Sequence, residues 1–119
     1  PAEILKLWLG LRQLGEEGIA ATLSGALQRR QTLAAQMDPE KFMLLSGELH
    51  LLAFHPQEGG IDAANCWSEE TRQTLLSHGY MLSRPFYGDR FCLKAFLGNP
   101  HTTVQHLSDL SDRLNGSLA

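Results

Sequence analysis

The clearest structural signal in this sequence lies in Gly79–Thr103, GYMLSRPFYGDRFCLKAFLGNPHTT. Two runs rich in aliphatic and aromatic residues, Met81–Phe86 and Phe91–Leu97, stand on either side of Tyr87–Arg90. The Gly and Asp of that central segment suit a tight turn. We therefore predict two short strands that pair antiparallel as a hairpin, followed by a stop at Asn99-Pro100.

Hydrophobic periodicity and turn residues predict the remaining elements. They are a helix at Ala2–Gln36 that is bent near Gly15 and Gly18, strands at Phe42–Leu45 and Leu49–Phe54, a helix that begins with Ser68 as its N-cap, and a helix at Thr103–Asn115 capped by Thr102 or Thr103. Pro56–Ala64 is expected to be a flexible connection. The order αββαββα predicts an α+β fold in which a small, mainly antiparallel sheet has helices packed on one face.

Length and composition indicate a single ordinary globular domain at residues 1–119. The chain is 43% hydrophobic and 19% charged, and its formal net charge of −3 comes from scattered residues rather than a basic patch, so we expect no nucleic-acid partner. No run approaches the about 20 apolar residues of a spanning helix, so we expect no membrane partner. The two cysteines are far apart and no signal-like start is present, which favours a cytoplasmic location.

The two halves of the first helix differ in their apolar surface. The second half predicts one core-facing stripe, formed by Ile19, Leu23, Ala26, Leu27, Leu33, Ala34 and Met37. In the first half, apolar side chains cover more than half of the circumference, at Ile4, Leu5, Leu7, Trp8, Leu9, Leu11 and Leu14. Such a helix is either central in a core or in contact with a missing domain or second subunit. We favour the second interpretation and expect the chain to be a fragment of a longer protein.

No self-contained catalytic motif is evident. No two of the five histidines have the i, i+4 spacing of helical metal ligands, and no serine lies in a GxSxG elbow. Lys94 interrupts the second predicted hairpin strand, where it is either a solvent-facing or ion-paired lysine or a group that pairs with a ligand carboxylate or forms a Schiff base. Arg84 and Arg90 flank the hairpin and could pair with Asp89 or Glu48, or line a pocket.

Three runs together resemble a known family. They are LKLWLxLRxxGxxG at Leu5–Gly18, Leu82-Ser83-Arg84, and LKxxxxNPxTT at Leu93–Thr103. In this order and spacing they resemble the carboxyl-terminal part of the group II pyridoxal-phosphate-dependent amino-acid decarboxylases, over nearly the whole chain. The family includes glutamate, aromatic amino-acid, cysteine-sulfinate, aspartate and 2,4-diaminobutyrate decarboxylases. The resemblance implies the small domain of the fold type I architecture.

The resemblance also implies partners and a cofactor. Residues 1–18 would link this domain to a missing N-terminal large domain of the same chain, which would bind pyridoxal phosphate (PLP). The parent would be a homodimer with active sites at the subunit interface. This fragment would supply one wall of the active site and part of the dimer interface. The substrate would be an amino acid, expected to be acidic or diamino.

Two residues are candidates for substrate binding by this resemblance. The position of Lys94 is usually an arginine that reaches the substrate carboxylate in glutamate-type members, and an ammonium does not reproduce the fork of a guanidinium. Arg84 matches a stretch near the active-site entrance. The family's catalytic lysine lies in an NPHK motif, whereas Asn99-Pro100-His101 is followed by Thr102 here. The fragment alone is therefore expected to hold no catalytic, cofactor-binding or metal-binding residue.

Two other interpretations compete with the decarboxylase fragment. One is a stand-alone α+β interaction or small-molecule-sensing module, since similar layers also serve as regulatory domains. The other is a transaminase on a related scaffold, which the matched runs disfavour.

Overall fold

The computed structural model describes residues 2–45 and 49–118. These residues form α1 (Ala2–Gln36), β1 (Phe42–Leu45), β2 (Leu51–Pro56), α2 (Gly60–Ser77), β3 (Phe86–Tyr87), β4 (Arg90–Phe91), β5 (Leu93–Phe96) and α3 (Val104–Gly116). The predicted α+β class, with a small antiparallel sheet and helices on one side, is confirmed. Within the described ranges, no helix has the length and apolar content needed to span a membrane.

The main sheet has the strand order β1-β2-β5, and both pairs are antiparallel. Directly opposite residues of such pairs share a face. The face against the helices is apolar and includes the buried residues Phe42, Leu52, Phe54, Leu93 and Ala95. We call the opposite face the open face; by register it carries Met43, Leu45, Leu51, Ala53, His55, Lys94 and Phe96.

The core forms where the helices meet the sheet. Phe42, Phe54 and Trp67 pack as three mutually contacting rings, with centroid separations of 5.6–6.2 Å. Around them lie fully buried leucines from every helix and two strands, namely Leu33, Leu52, Leu75, Leu93, Leu107 and Leu114. Burial of each such side chain stabilises the fold by about 1.5–3 kcal/mol relative to exposure.

Helix α1 has the predicted bounds and the predicted bend. At Gly15 the backbone has φ 67° and ψ 179°, a conformation that breaks the helix and that glycine adopts without a Cβ penalty. The predicted core stripe is wrong at Leu23 and Leu27, which are 47% and 40% exposed, whereas Leu33 is fully buried. Only the end of the helix reaches the sheet, where the Arg29 and Arg30 side chains donate to sheet carbonyls at 2.7 Å.

The start of α2 corrects the prediction. The helix begins at Gly60, so most of the predicted connection Pro56–Ala64 is helical and Ser68 lies inside the helix rather than at its N-cap. The earlier start places Ala64 and Trp67 in the core, and this burial outweighs the local capping preference of a serine. The end agrees with the prediction, because Gly79 follows the last turn with φ 88°.

Helix α3 begins as predicted, with Thr103 as its N-cap. The His106 backbone N–H donates to the Thr103 hydroxyl at 3.2 Å, and the Thr103 N–H donates to the His106 ring at 3.1 Å. The predicted inward residues Leu107, Leu110, Ser111 and Leu114 are buried. Val104 is 70% exposed, so its predicted place in the stripe is wrong.

Candidate functional site

A hairpin from Ser83 to Lys94 carries both candidate substrate-binding residues. Ser83 and Lys94 exchange two backbone hydrogen bonds at 2.9 and 3.1 Å. Nearer the tip, the Cys92 N–H donates to the Pro85 carbonyl at 2.9 Å, and Tyr87 pairs with Arg90. All these pairs share one register, so the predicted hairpin is confirmed. The first strand, Phe86–Tyr87, overlaps the predicted Met81–Phe86 only at Phe86, because Pro85 has no N–H for the ladder, and Tyr87 belongs to the strand and not to the predicted turn.

The turn of the hairpin is formed by Gly88 and Asp89. Gly88 has φ 65°, while Asp89 is not among the residues with positive φ. This combination is the pattern of a type II′ turn, which matches the twist of the two strands and requires glycine at the first position. The turn thereby fixes the register that places Lys94 opposite Ser83.

Lys94 lies on the open face with a half-buried side chain. Its Nζ donates to the Tyr87 hydroxyl at 3.0 Å. The same ammonium lies 5.2 Å from the ring centroid of Phe96, within cation–π range, and at the hydroxyl edge of Tyr87, 5.6 Å from that ring centroid. In the described part of the chain, the contacts of the ammonium are therefore a phenol oxygen and an aromatic ring and not an acid.

Arg84 points to the other side of the hairpin, against α2. Its guanidinium donates to the Ser68 hydroxyl at 2.8 Å and to the Asn65 carbonyl at 2.9 Å, and pairs with Glu69 at 3.2 Å. It also stacks 3.9 Å above the Phe91 ring. These contacts anchor the hairpin to the helix. The predicted role of Arg84 in substrate binding stays a prediction.

Arg90 pairs with Asp89 at 2.9 Å, as one of the predicted alternatives proposed. The hydrogen bond from Arg90 is the main cause that holds the pKa of the Asp89 carboxyl below its usual value. Arg84 pairs with Glu69 instead of Asp89. The other predicted partner, Glu48, lies outside the described residues.

A cavity of about 530 Å³ lies between the open face and the hairpin tip. Its walls are formed by Met43, Leu45, His55, Gln57, Tyr87, Gly88, Asp89, Arg90 and Cys92. The His55 Nδ1 donates to the Pro56 carbonyl at 2.8 Å, so in the neutral ring Nε2 is the hydrogen-bond acceptor. Tyr87 lines this cavity and accepts the hydrogen bond from Lys94, which is not itself among the lining residues.

Sequence reasoning assigned Tyr87 only to the turn and missed its contact with Lys94. The signal was present in the alternation of the hairpin. In the register that ends at Ser83 and Lys94, odd-numbered residues of the first strand share a face with even-numbered residues of the second. Tyr87 and Lys94 therefore lie on one face, two pairs apart, within reach of two long side chains.

The three lysines of the chain have different surroundings. Lys6 pairs with Glu3 at 3.4 Å on an exposed helix, and Lys41 donates to the Asn115 and Leu118 carbonyls at 2.9 and 3.3 Å. Lys94 is the remaining lysine, and its neighbours are aromatic.

Comparisons with known proteins give a consistent result at the level of structure. No family model and no curated protein matches the chain. Oryza sativa TDC with PLP and tryptamine matches 95% of this chain and 25% of its own, with a TM-score of 0.80 and 16% identity. Catharanthus roseus tryptophan decarboxylase in complex with L-tryptophan matches 97% of this chain and 26% of its own, with a TM-score of 0.75 and 19% identity.

A third match is the glutamate decarboxylase domain of diaminobutyrate-pyruvate transaminase and L-2,4-diaminobutyrate decarboxylase from Vibrio parahaemolyticus. It covers 95% of this chain and 25% of its own, with a TM-score of 0.71 and 19% identity. The chain has the fold of one part of these decarboxylases. It spans about a quarter of their length. The predicted resemblance is confirmed for this decarboxylase fold, and the ligands named above belong to those other proteins.

Proposed function

We propose that this chain is the carboxyl-terminal small domain of a PLP-dependent amino-acid decarboxylase, an enzyme that releases carbon dioxide from an amino acid. The observation that carries the proposal is the match of 95% of the chain to one quarter of Oryza sativa TDC, with a TM-score of 0.80. The sequence runs at Leu5–Gly18 and Leu93–Thr103 resemble the same family and so support the proposal independently. PLP, bound by the rest of the parent, would supply the electron sink for loss of the carboxyl group.

In this proposal the open face forms one wall of the active site. Lys94 offers an ammonium there, and an ammonium attracts a substrate carboxylate. Arg84 is the weaker candidate for direct contact, because its guanidinium already binds Ser68, Asn65 and Glu69. The proposed substrates are therefore acidic amino acids, with diamino acids as the second class.

The N-terminal half of α1 supports the proposed domain organisation. Its leucines at positions 5, 7, 9, 11 and 14 are 46–64% exposed, and Trp8 is 51% exposed. A helix with such a surface is stable when other elements cover it. We propose that residues 1–18 connect to the large domain of a cytoplasmic homodimer, and that part of the small domain lies in the dimer interface.

The test uses the full-length parent protein. It is purified with PLP, its visible absorbance is recorded for the bound cofactor, and release of carbon dioxide is assayed over a panel of acidic, aromatic, diamino and amide amino acids. We expect bound PLP and release from at least one amino acid. A protein without bound PLP and without carbon dioxide release would contradict the proposal and favour the stand-alone interaction or sensing module. Amino-group transfer without release would favour the transaminase.

A further inference from the structure

The contact between Lys94 and Tyr87 leaves donors unused on both side chains. The two side-chain atoms lie 3.0 Å apart. An ammonium carries only donors, so the phenol oxygen is the acceptor and the Tyr87 hydroxyl hydrogen remains for another acceptor. An N–H of Lys94 and the O–H of Tyr87 therefore stand side by side at the open face.

The charge of Lys94 is not neutralised by an acid within residues 2–45 and 49–118. In the same hairpin, Arg84 pairs with Glu69 and Arg90 pairs with Asp89. The ion pairs found in these ranges do not include Lys94. Its ammonium donates to the Tyr87 hydroxyl and lies within cation–π range of Phe96, contacts that stabilise a cation without cancelling its charge. An incoming anion therefore meets an ammonium that no acid of these described ranges neutralises.

The donor pair is held in place before a ligand arrives. Three polar contacts of Arg84 fix the first hairpin strand to α2. The second strand is fixed by the Phe91 backbone N–H, which donates to the Asn65 side chain at 2.8 Å. The Gly88 turn then sets the position of Tyr87. A preorganised pair of donors loses little freedom on binding, which favours affinity and selectivity.

We infer that Tyr87 is a specificity-determining residue that binds the side-chain carboxylate of an acidic amino-acid substrate together with Lys94; this inference rests on the proposed function. A carboxylate has two acceptor oxygens and one negative charge, which match one phenol donor and one ammonium. A diamino substrate would bring a second ammonium towards Lys94, and the two like charges would repel; the neighbouring acid Asp89 is paired with Arg90 and not with Lys94. Acidic substrates are thus preferred over diamino substrates.

The test compares acids with their amides in the full-length protein. Values of kcat/KM are measured for glutamate against glutamine and for aspartate against asparagine, in the wild type and in Tyr87→Phe. Loss of one hydrogen bond to a charged group should lower the acid-to-amide ratio about tenfold to a hundredfold, mainly through KM for the acid. An equal loss for acid and amide would show a merely structural role and overturn the inference. No loss would overturn it as well.

A matched control and a second variant of the site accompany Tyr87→Phe. Tyr80→Phe removes another phenol, one that donates to Asp109 on α3 at 2.7 Å, and should leave the acid-to-amide ratio unchanged. Lys94→Met should abolish the preference for acids. Tyr87 is 40% exposed, so the loss of its hydroxyl should leave folding intact, which thermal unfolding checks.

Binding of a probe separates failure of this inference from failure of the proposed function. A wild type that decarboxylates only amino acids without a side-chain carboxylate would keep the proposed function and overturn the inference. If the wild type releases no carbon dioxide at all, the proposed function fails and calorimetric titration with glutarate decides. Glutarate binding that is at least fivefold weaker in Tyr87→Phe would support the carboxylate site. Equal binding, or no binding to the wild type, would overturn it.

Discussion

Ser68 and Ser83 both have buried hydroxyls, and they differ in whether the hydroxyl has a partner. The Ser68 Oγ accepts from Arg84 at 2.8 Å and donates to the Asn65 carbonyl at 3.0 Å. The Ser83 Oγ has no hydrogen-bond partner among the residues that the structure describes. We expect Ser68→Ala to lower the free energy of unfolding by about 1–3 kcal/mol, because it leaves a buried guanidinium donor unpaired.

The matched variant Ser83→Ala should be neutral or slightly stabilising, since it removes a polar atom whose burial is not compensated. Urea unfolding of both variants checks the pair. Equal destabilisation by the two substitutions would contradict this account. The role of Ser68 cannot be predicted from the sequence, because its partner Arg84 lies in a hairpin 16 residues away whose docking on α2 depends on the whole fold.

In the candidate site, one residue can be identified from the sequence and two have roles that depend on contacts between elements. Lys94 can be identified from the sequence, because a lone cation in an apolar strand is conspicuous. The role of Tyr87 needs the register of the hairpin, and the anchoring role of Arg84 needs the position of α2. Contacts between elements decide both roles.

The elements predicted best are those with local signals. Thr103 caps α3 because its hydroxyl precedes the first turn, and the glycines at 79 and 88 lie where turns require positive φ. Ser68 offered the same capping chemistry as Thr103, yet it lies inside α2. Burial of Ala64 and Trp67 extends that helix, and this tertiary effect has no local signature.

Helix α3 is tied to the segment after α2 by Asp109. The carboxylate accepts from the Tyr80 hydroxyl at 2.7 Å and from Arg113 at 2.9 Å. The hydrogen bond from Tyr80 is the main cause that lowers the pKa of Asp109, and Arg113 adds to it. A carboxyl with a lowered folded-state pKa stabilises the fold above its unfolded pKa of about 4, and this contribution disappears as pH falls through the folded pKa.

Asp109→Asn should therefore lower the urea midpoint at pH 7, and its difference from the wild type should shrink as the pH falls below about 4. Tyr80→Phe removes the largest cause of the shift and should reduce the same pH dependence. A constant difference in stability between the wild type and Asp109→Asn, from pH 7 to below about 4, would show that the Asp109 carboxylate does not stabilise the contact between α3 and Tyr80.

At the scale of the whole molecule, two parts of α1 have different environments. Leu33 is fully buried, whereas Leu7 and Leu11 are 64% and 46% exposed. The sequence predicted this contrast through the wide apolar arc of the first half. It could not predict whether another surface covers the arc, because the described residues leave these leucines exposed.

The double variant Leu7→Glu/Leu11→Glu tests whether the parent covers this helix. In the 119-residue chain, its effect on the free energy of unfolding should stay within about 0.5 kcal/mol, because neither side chain is buried. Leu33→Ala in the same chain should cost about 2–5 kcal/mol. In the full-length protein, burial of two unpaired carboxylates would be strongly unfavourable, so the double variant should lose thermal stability or soluble yield there.

The same substitutions are compared in the 119-residue chain and in the full-length protein, so a difference in their effect reports on a surface that covers the helix. A full-length double variant as stable as its wild type would mean that the helix stays exposed in the parent, and the proposed link through residues 1–18 would be wrong. A loss in the 119-residue chain equal to that of Leu33→Ala would mean that the helix packs on its own domain, against its 46–64% exposure at Leu11 and Leu7.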